Sequence, residues 1–169
     1  MNSEARDIIQ KLGLAPLPLE GGFFRQTWMS STKLPGGRSV GSAIYFLLTE
    51  SGFSALHRLP TDEIWLYHAG DVIEHVSLIA GSDEPEIALI GSDVLNGQVA
   101  QLLVKGGKWQ GARLAPPAEV GRPGAERGWA LISCTMAPAW DDREFTLGSR
   151  DELLQQFPRA AARIHALTR

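Results

Sequence analysis

His57 and Glu63, six residues apart in FSALHRLPTDEIWLYHAG (53–70), pair an imidazole with a carboxylate. Those two groups serve equally as ligands of a divalent metal and as proton-transferring partners. Whether they meet depends on the chain between them. If 53–59 is a strand, then Phe53, Ala55, His57 and Leu59 share one face. After the Pro-Thr-Asp turn, a second strand puts Glu63, Trp65 and Tyr67 on one face. Paired across that turn, the strands aim His57 and Glu63 into the same interior. The plainer alternative is a histidine hydrogen-bonded in a core without a ligand. Against it, a carboxylate buried beside that histidine to no purpose loses its hydration at a cost.

Other residues enter as candidates around this pair. Tyr67 could assist proton transfer, and Trp65, Tyr67 and Trp109 could form the aromatic wall of a small-molecule pocket or simply be core. Arg25 is expected to face inward, where its guanidinium could pair with an anionic ligand. Gln110 could lend a metal its amide oxygen, a weaker donor than imidazole. By alternation from Glu63, His68 points to the opposite face, and His75 in VIEHVSL is likewise expected away from the site. His165 is expected in solvent on a terminal helix, and Asp62 is expected to accept a backbone N–H at a turn. Cys134, the single cysteine, sits in the apolar run ALISCTMA and reads as a small buried hydrophobe.

The elements that must position these groups are mostly strands. Short β-prone segments fall near 23–29, 42–49, 53–59, 63–68, 72–79, 86–90, 99–104, 109–114, 129–135 and 143–146. Glu-Ser-Gly, Ala-Gly-Asp, Leu-Asn-Gly and Lys-Gly-Gly separate several of them, as tight hairpins require. Many short strands without long alternating helices indicate a sandwich or barrel. The ends read as helices. Asn2 or Ser3 can cap one that stops at Gly13, and Ser149 with Glu152 has capping-box spacing before another. Pro158 suits the first turn of a last helix, and PPAEVGRPGAERG (116–128) reads as a surface loop.

The spacing Gly52-x4-His57-x5-Glu63-x6-Gly70 resembles the first motif of the cupin superfamily. The resemblance implies a double-stranded β-helix, or jelly-roll, barrel whose two motifs supply three histidines and a glutamate to a metal. Leu59 stands at the place of the second histidine, and Gln110, three residues after Gly107, at that of the third. Four blocks in order are similar to the cupin_5 branch, a family described as of unknown function: EGGFFRQTW (20–28), SAIYFLLTESGFSALHRLPTDEIWLYHAGD (42–71), VKGGKWQGARL (104–114) and ISCTMAPAWDDREFTLGSRDELLQQFP (132–158). Phe23 and Phe24 replace the tyrosines usual in that branch, and Leu66 a polar residue. The resemblance covers most of residues 17–158. It implies one all-β cupin domain over 1–169 with short N- and C-terminal helices, and a homodimer.

Composition narrows the partners. With 44% hydrophobic and 21% charged residues in 169, the chain is that of a globular protein. A net charge of -3 with scattered cations speaks against nucleic acid. No apolar run is long enough to cross a bilayer, and MNSEARD is unlike a signal peptide, so a cytoplasmic protein is expected. The expected ligand is a small polar organic molecule inside the barrel. Three readings compete. One is a metal-independent isomerase or epimerase, similar to the nucleotide-sugar epimerases of the superfamily, with His57 as base and Glu63 or Tyr67 assisting. Another is a metal enzyme with the incomplete ligand set His57, Glu63 and Gln110, which would hold a divalent ion weakly. The third is a ligand-binding module without catalysis.

Overall fold

In the computed structural model, which describes residues 1–117 and 127–169, the β-prone segments pair into two antiparallel sheets. The strands are β1 (Ala15–Pro16), β2 (Phe23–Met29), β3 (Ser42–Thr49), β4 (Ser54–Arg58), β5 (Glu63–Gly70), β6 (Ile73–Leu78), β7 (Glu86–Ile90), β8 (Gln101–Val104), β9 (Trp109–Leu114), β10 (Trp129–Met136) and β11 (Thr146–Leu147). One sheet has the order β1-β2-β3-β10-β5-β8 and the other β11-β4-β9-β6-β7. Together they form a jelly-roll barrel.

Alternation along the strands sorts their side chains between two faces. Phe46, Trp65, Ile132 and Cys134 of the first sheet meet Ile73 and Ala112 of the second in a core between the sheets. The outer face of the second sheet is also apolar. There Leu56, Val76 and Leu78 lie under α2 (Arg150–Gln156) and α3 (Ala161–Ala166), against Leu153, Phe157, Ile164 and Leu167. Burial of side chains such as Ile164 and Leu167 stabilises by about 1.5–3 kcal/mol each. Glu74, on the same outer face, pairs with Arg113 at 2.9 Å and Arg163 at 3.3 Å, which ties α3 to the sheet.

At the other end, α1 (Ser3–Leu12) lays Ala5 against Leu47 and Trp129 on the outer face of the first sheet. Its first turn is capped by the Asn2 side chain, which accepts from the Ala5 N–H at 2.9 Å. Gly13, at φ 62°, closes it in the left-handed conformation.

Some local expectations shift. Residues 143–146 are mostly not strand: Asp142–Glu144 form a 3-10 turn and only Thr146–Leu147 pair. The Asp141 carboxylate accepts from the Arg143 N–H at 3.1 Å and starts that turn. Ser149 precedes α2 without a side-chain capping bond. Of the loop expected at 116–128, residues 118–126 lie outside the described residues. Among the described residues no helix is long and apolar enough to cross a membrane.

Candidate functional site

Strand β5 brings Glu63 to the mouth of the barrel, where it is 7% exposed. Its Oε2 accepts from the Trp65 indole N–H at 3.1 Å and from the Gln110 amide at 2.8 Å. Trp65 follows two residues later on the same face, and Gln110 reaches Glu63 from β9 in the opposite sheet. Burial raises the Glu63 pKa above the usual carboxylate range. Positive charge on His57 opposes that rise, the charge of Glu20 adds to it, and the bonds from Gln110 and Trp65 oppose it.

His57 lies directly across from Gln110 in the β4–β9 pairing, so both point inward. It is 1% exposed, with Nδ1 2.8 Å from the Ala55 carbonyl and the ring stacked on Phe145 at 5.3 Å. A carbonyl only accepts, so Nδ1 carries a proton and Nε2 is the ring atom left for another partner.

Glu63 and Trp65 line a cavity of about 680 Å³ at the barrel mouth. Phe24, Ile44, Phe46, Met136, Trp140 and Phe145 supply most of its apolar wall. Its charged lining residues are Glu20, Glu63, Asp141 and Asp142, and no lysine, arginine or histidine lines it among the described residues. His57 and Gln110 sit just behind this surface.

The remaining sequence candidates lie elsewhere. Arg25 faces outward, exposed, with its guanidinium 5.8 Å from the centre of the Tyr45 ring, because its neighbours Phe24 and Gln26 take the inward positions of β2. Trp109 alternates with inward Gln110, so it packs on the outer apolar cluster under Arg58 at 4.7 Å. Tyr67 shares a face with Trp65 but lies farther from the mouth, and its hydroxyl donates to the Gly70 carbonyl at 2.6 Å. His68 is on the outer face, 2.6 Å from the Ser133 hydroxyl, and His165 is exposed. Asp62 accepts from the Gly106 N–H at 2.8 Å.

Several inward residues escaped the sequence reading. His75 was expected away from the site. It is instead buried, with Nε2 3.2 Å from the Gln110 Oε1 and its ring edge-on to Trp65 at 5.0 Å. Because the Gln110 nitrogen faces Glu63, its oxygen must face His75, and His75 Nε2–H donates. Burial pushes the His75 pKa down to about 4, so this ring is neutral. Cys134 lines the cavity beside Glu63; burial first, then the charges of Glu63 and Glu20, push its thiol pKa well up. Glu20, in the turn before β2, is 8% exposed and accepts from the Ser54 hydroxyl at 2.7 Å. The inward turn of Ser54 follows from an irregularity in the β4–β9 register between Ser54 and His57. Strict alternation would have put it outside.

The residues at the usual cupin ligand places do not fit a tight metal site. Gln110 has its oxygen committed to His75 and its nitrogen to Glu63, and Leu59 is a buried hydrocarbon. A first-row site needs three or more good donors. Among the described residues no group of three or more His, Cys, Asp or Glu is placed to hold an ion.

The Cupin_5 family, described as Cupin superfamily (DUF985), matches residues 6–148. The chain belongs to the Cupin_5 family. This cupin is similar to a hypothetical protein from Leishmania major, at 30% identity over 97% of this chain and 98% of that one, with a TM-score of 0.85. It is similar also to a protein from Shewanella oneidensis, at 31% identity over 100% and 98%, with a TM-score of 0.86. A cupin 2 conserved barrel domain protein from Rhodopseudomonas palustris, 19% identical over 93% and 91%, shares the fold at a TM-score of 0.55. No curated protein matches this cupin.

Proposed function

We propose that this cupin binds a small polar organic molecule at the barrel mouth and moves a proton on it without a metal, as an isomerase or epimerase. Glu63 is the proton-transferring group, and His57 behind it tunes its charge. The observation that carries this reading is Glu63 itself. It lines the cavity, one oxygen is anchored by Trp65 and Gln110, and burial lifts its pKa. A carboxyl group lifted toward working pH can both take and return a proton. Tyr67 is given a supporting role in the wall, since its hydroxyl is committed to Gly70. The acidic lining favours a neutral or cationic ligand over a nucleotide sugar, whose phosphates would face carboxylates.

The test is solvent exchange. A panel of hydroxy-carbonyl compounds is incubated with the protein in D2O and followed by NMR. Deuterium should enter at carbon for at least one compound, and Glu63→Gln should slow it by roughly 10²-fold or more. Compounds that bind without exchange would instead support a binding module. That second reading rests on Phe145, which stacks on His57 and keeps the imidazole off the cavity surface.

We also propose a homodimer located in the cytoplasm. Trp28 and Met29, 50% and 38% exposed near the end of β2, offer apolar surface for a second copy. A monomeric mass by light scattering at micromolar concentration would refute the dimer.

A further inference from the structure

Glu20 has no part in the proton transfer just described, yet its setting is costly. Its carboxylate lines the cavity at 8% exposure, and the donor on its Oε1 is the neutral Ser54 hydroxyl at 2.7 Å. A buried carboxylate ordinarily has a cationic partner or several N–H donors. The nearby cation does not serve it: the Arg169 guanidinium donates to the backbone carbonyls of Leu19 and Glu20.

The turn presenting Glu20 is held on all sides. Leu19 is kept at φ 65°, a left-handed conformation uncommon for a branched residue. The Gly21 N–H donates to the Leu17 carbonyl at 3.0 Å, and the Ala55 N–H donates to the Glu20 carbonyl at 2.8 Å. Gly21 follows at φ 101°, where an added Cβ would clash with the Phe53 carbonyl. Backbone held in such a sparse region beside a buried charge points to a site rather than to packing.

The cavity gives that charge its meaning. Glu20 and Glu63, both largely buried, line one cavity, and none of the described lining residues is a lysine, arginine or histidine. The other two acids are differently placed. Asp141 is neutralised by Arg143 at 2.9 and 2.6 Å, and Asp142 is exposed and accepts the Trp140 indole N–H. An anionic ligand would add repulsion. A hydroxyl ligand would hydrogen-bond but leave the buried Glu20 charge, and that of Glu63 when it is ionised, uncompensated. A protonated nitrogen would compensate them, with the faces of Phe24, Trp140 and Phe145 available to the same cation.

We propose that the molecule held in this barrel carries a protonated amine and that Glu20 is its counter-ion. The proposal rests on the cavity being a small-molecule site.

Three probes of one skeleton test it: 2-phenylethylamine, 2-phenylethanol and phenylacetate, titrated at pH 7 into the isotope-labelled protein and followed by NMR shifts. The amine should bind at least tenfold tighter than the alcohol, and the acid most weakly. Glu20→Gln keeps an oxygen for Ser54, and should bring amine and alcohol within twofold of each other. Ser54→Ala leaves the carboxylate in place and should keep the amine preference, and it carries the test should Glu20→Gln not fold. Equal binding of alcohol and amine by the unaltered protein would overturn the amine proposal while the cavity reading stands. Persistence of the preference in folded Glu20→Gln, or its loss in folded Ser54→Ala, would do the same. No binding of any probe would overturn both.

Discussion

His75 makes the protein's stability depend on acid in a calculable way. Burial holds its pKa near 4, against about 6.5 in an unfolded chain. Between those values the unfolded chain takes up a proton that the folded one refuses. Stability from this residue is therefore complete above about pH 6.5 and is lost as pH falls toward 4. At 1.36 kcal/mol per pH unit, the interval corresponds to roughly 3 kcal/mol. The comparison protein is His75→Gln, whose amide can still donate to the Gln110 oxygen but does not titrate. Urea unfolding of both proteins from pH 7 to pH 4 gives the difference, in which other titrating groups cancel. Cancellation is needed because Glu63, with its raised pKa, works oppositely: its folded form holds a proton the unfolded chain has lost, so it favours the acid side. The unaltered protein should lose about 3 kcal/mol more than the variant over that range. A difference under about 1 kcal/mol would refute the neutral, buried imidazole and its bond to Gln110.

The same chain of bonds makes Gln110→Ala costly. It removes a donor to a carboxylate, worth about 1.5–3 kcal/mol, and strands the His75 N–H, so roughly 3–5 kcal/mol should be lost in urea unfolding at pH 7. A loss near zero would show that water replaces the amide. Leu59→His with Gln110→His restores three imidazoles beside Glu63, and calorimetry should find zinc or nickel bound at least tenfold more tightly than by the unaltered protein. Stoichiometric metal in the unaltered protein, lost on His57→Ala, would reverse the metal-independent reading. Phe145→Ala should uncover the His57 ring and speed its modification by diethylpyrocarbonate severalfold, and an unchanged rate would mean that Phe145 is not the cover.

Much of the fold and part of the site were legible because they depend on short-range pattern. The Pro-Thr-Asp turn and the alternation on either side of it determine that His57, Glu63 and Trp65 point the same way. Asn2 and Gly13 mark the ends of α1 by cap chemistry alone. Alternation failed where both faces of a strand are buried. β6 has His75 on the cavity side and Glu74 under the helices, and every one of its residues is buried, so polarity carries no sign of direction. In β2 the consecutive phenylalanines serve different layers, Phe24 the barrel and Phe23 the packing around α1, and this sends Arg25 outward. Cys134 looks like core in its apolar strand and becomes cavity wall only because β5 lies beside it with Glu63. Glu20 is the extreme case. Its place depends on Ser54, 34 residues away, and on Arg169, 149 residues away. Local sequence determines that successive side chains of a strand leave on opposite faces, but which face meets the cavity, and what a side chain meets there, is decided by strands and termini that only the folded chain brings together.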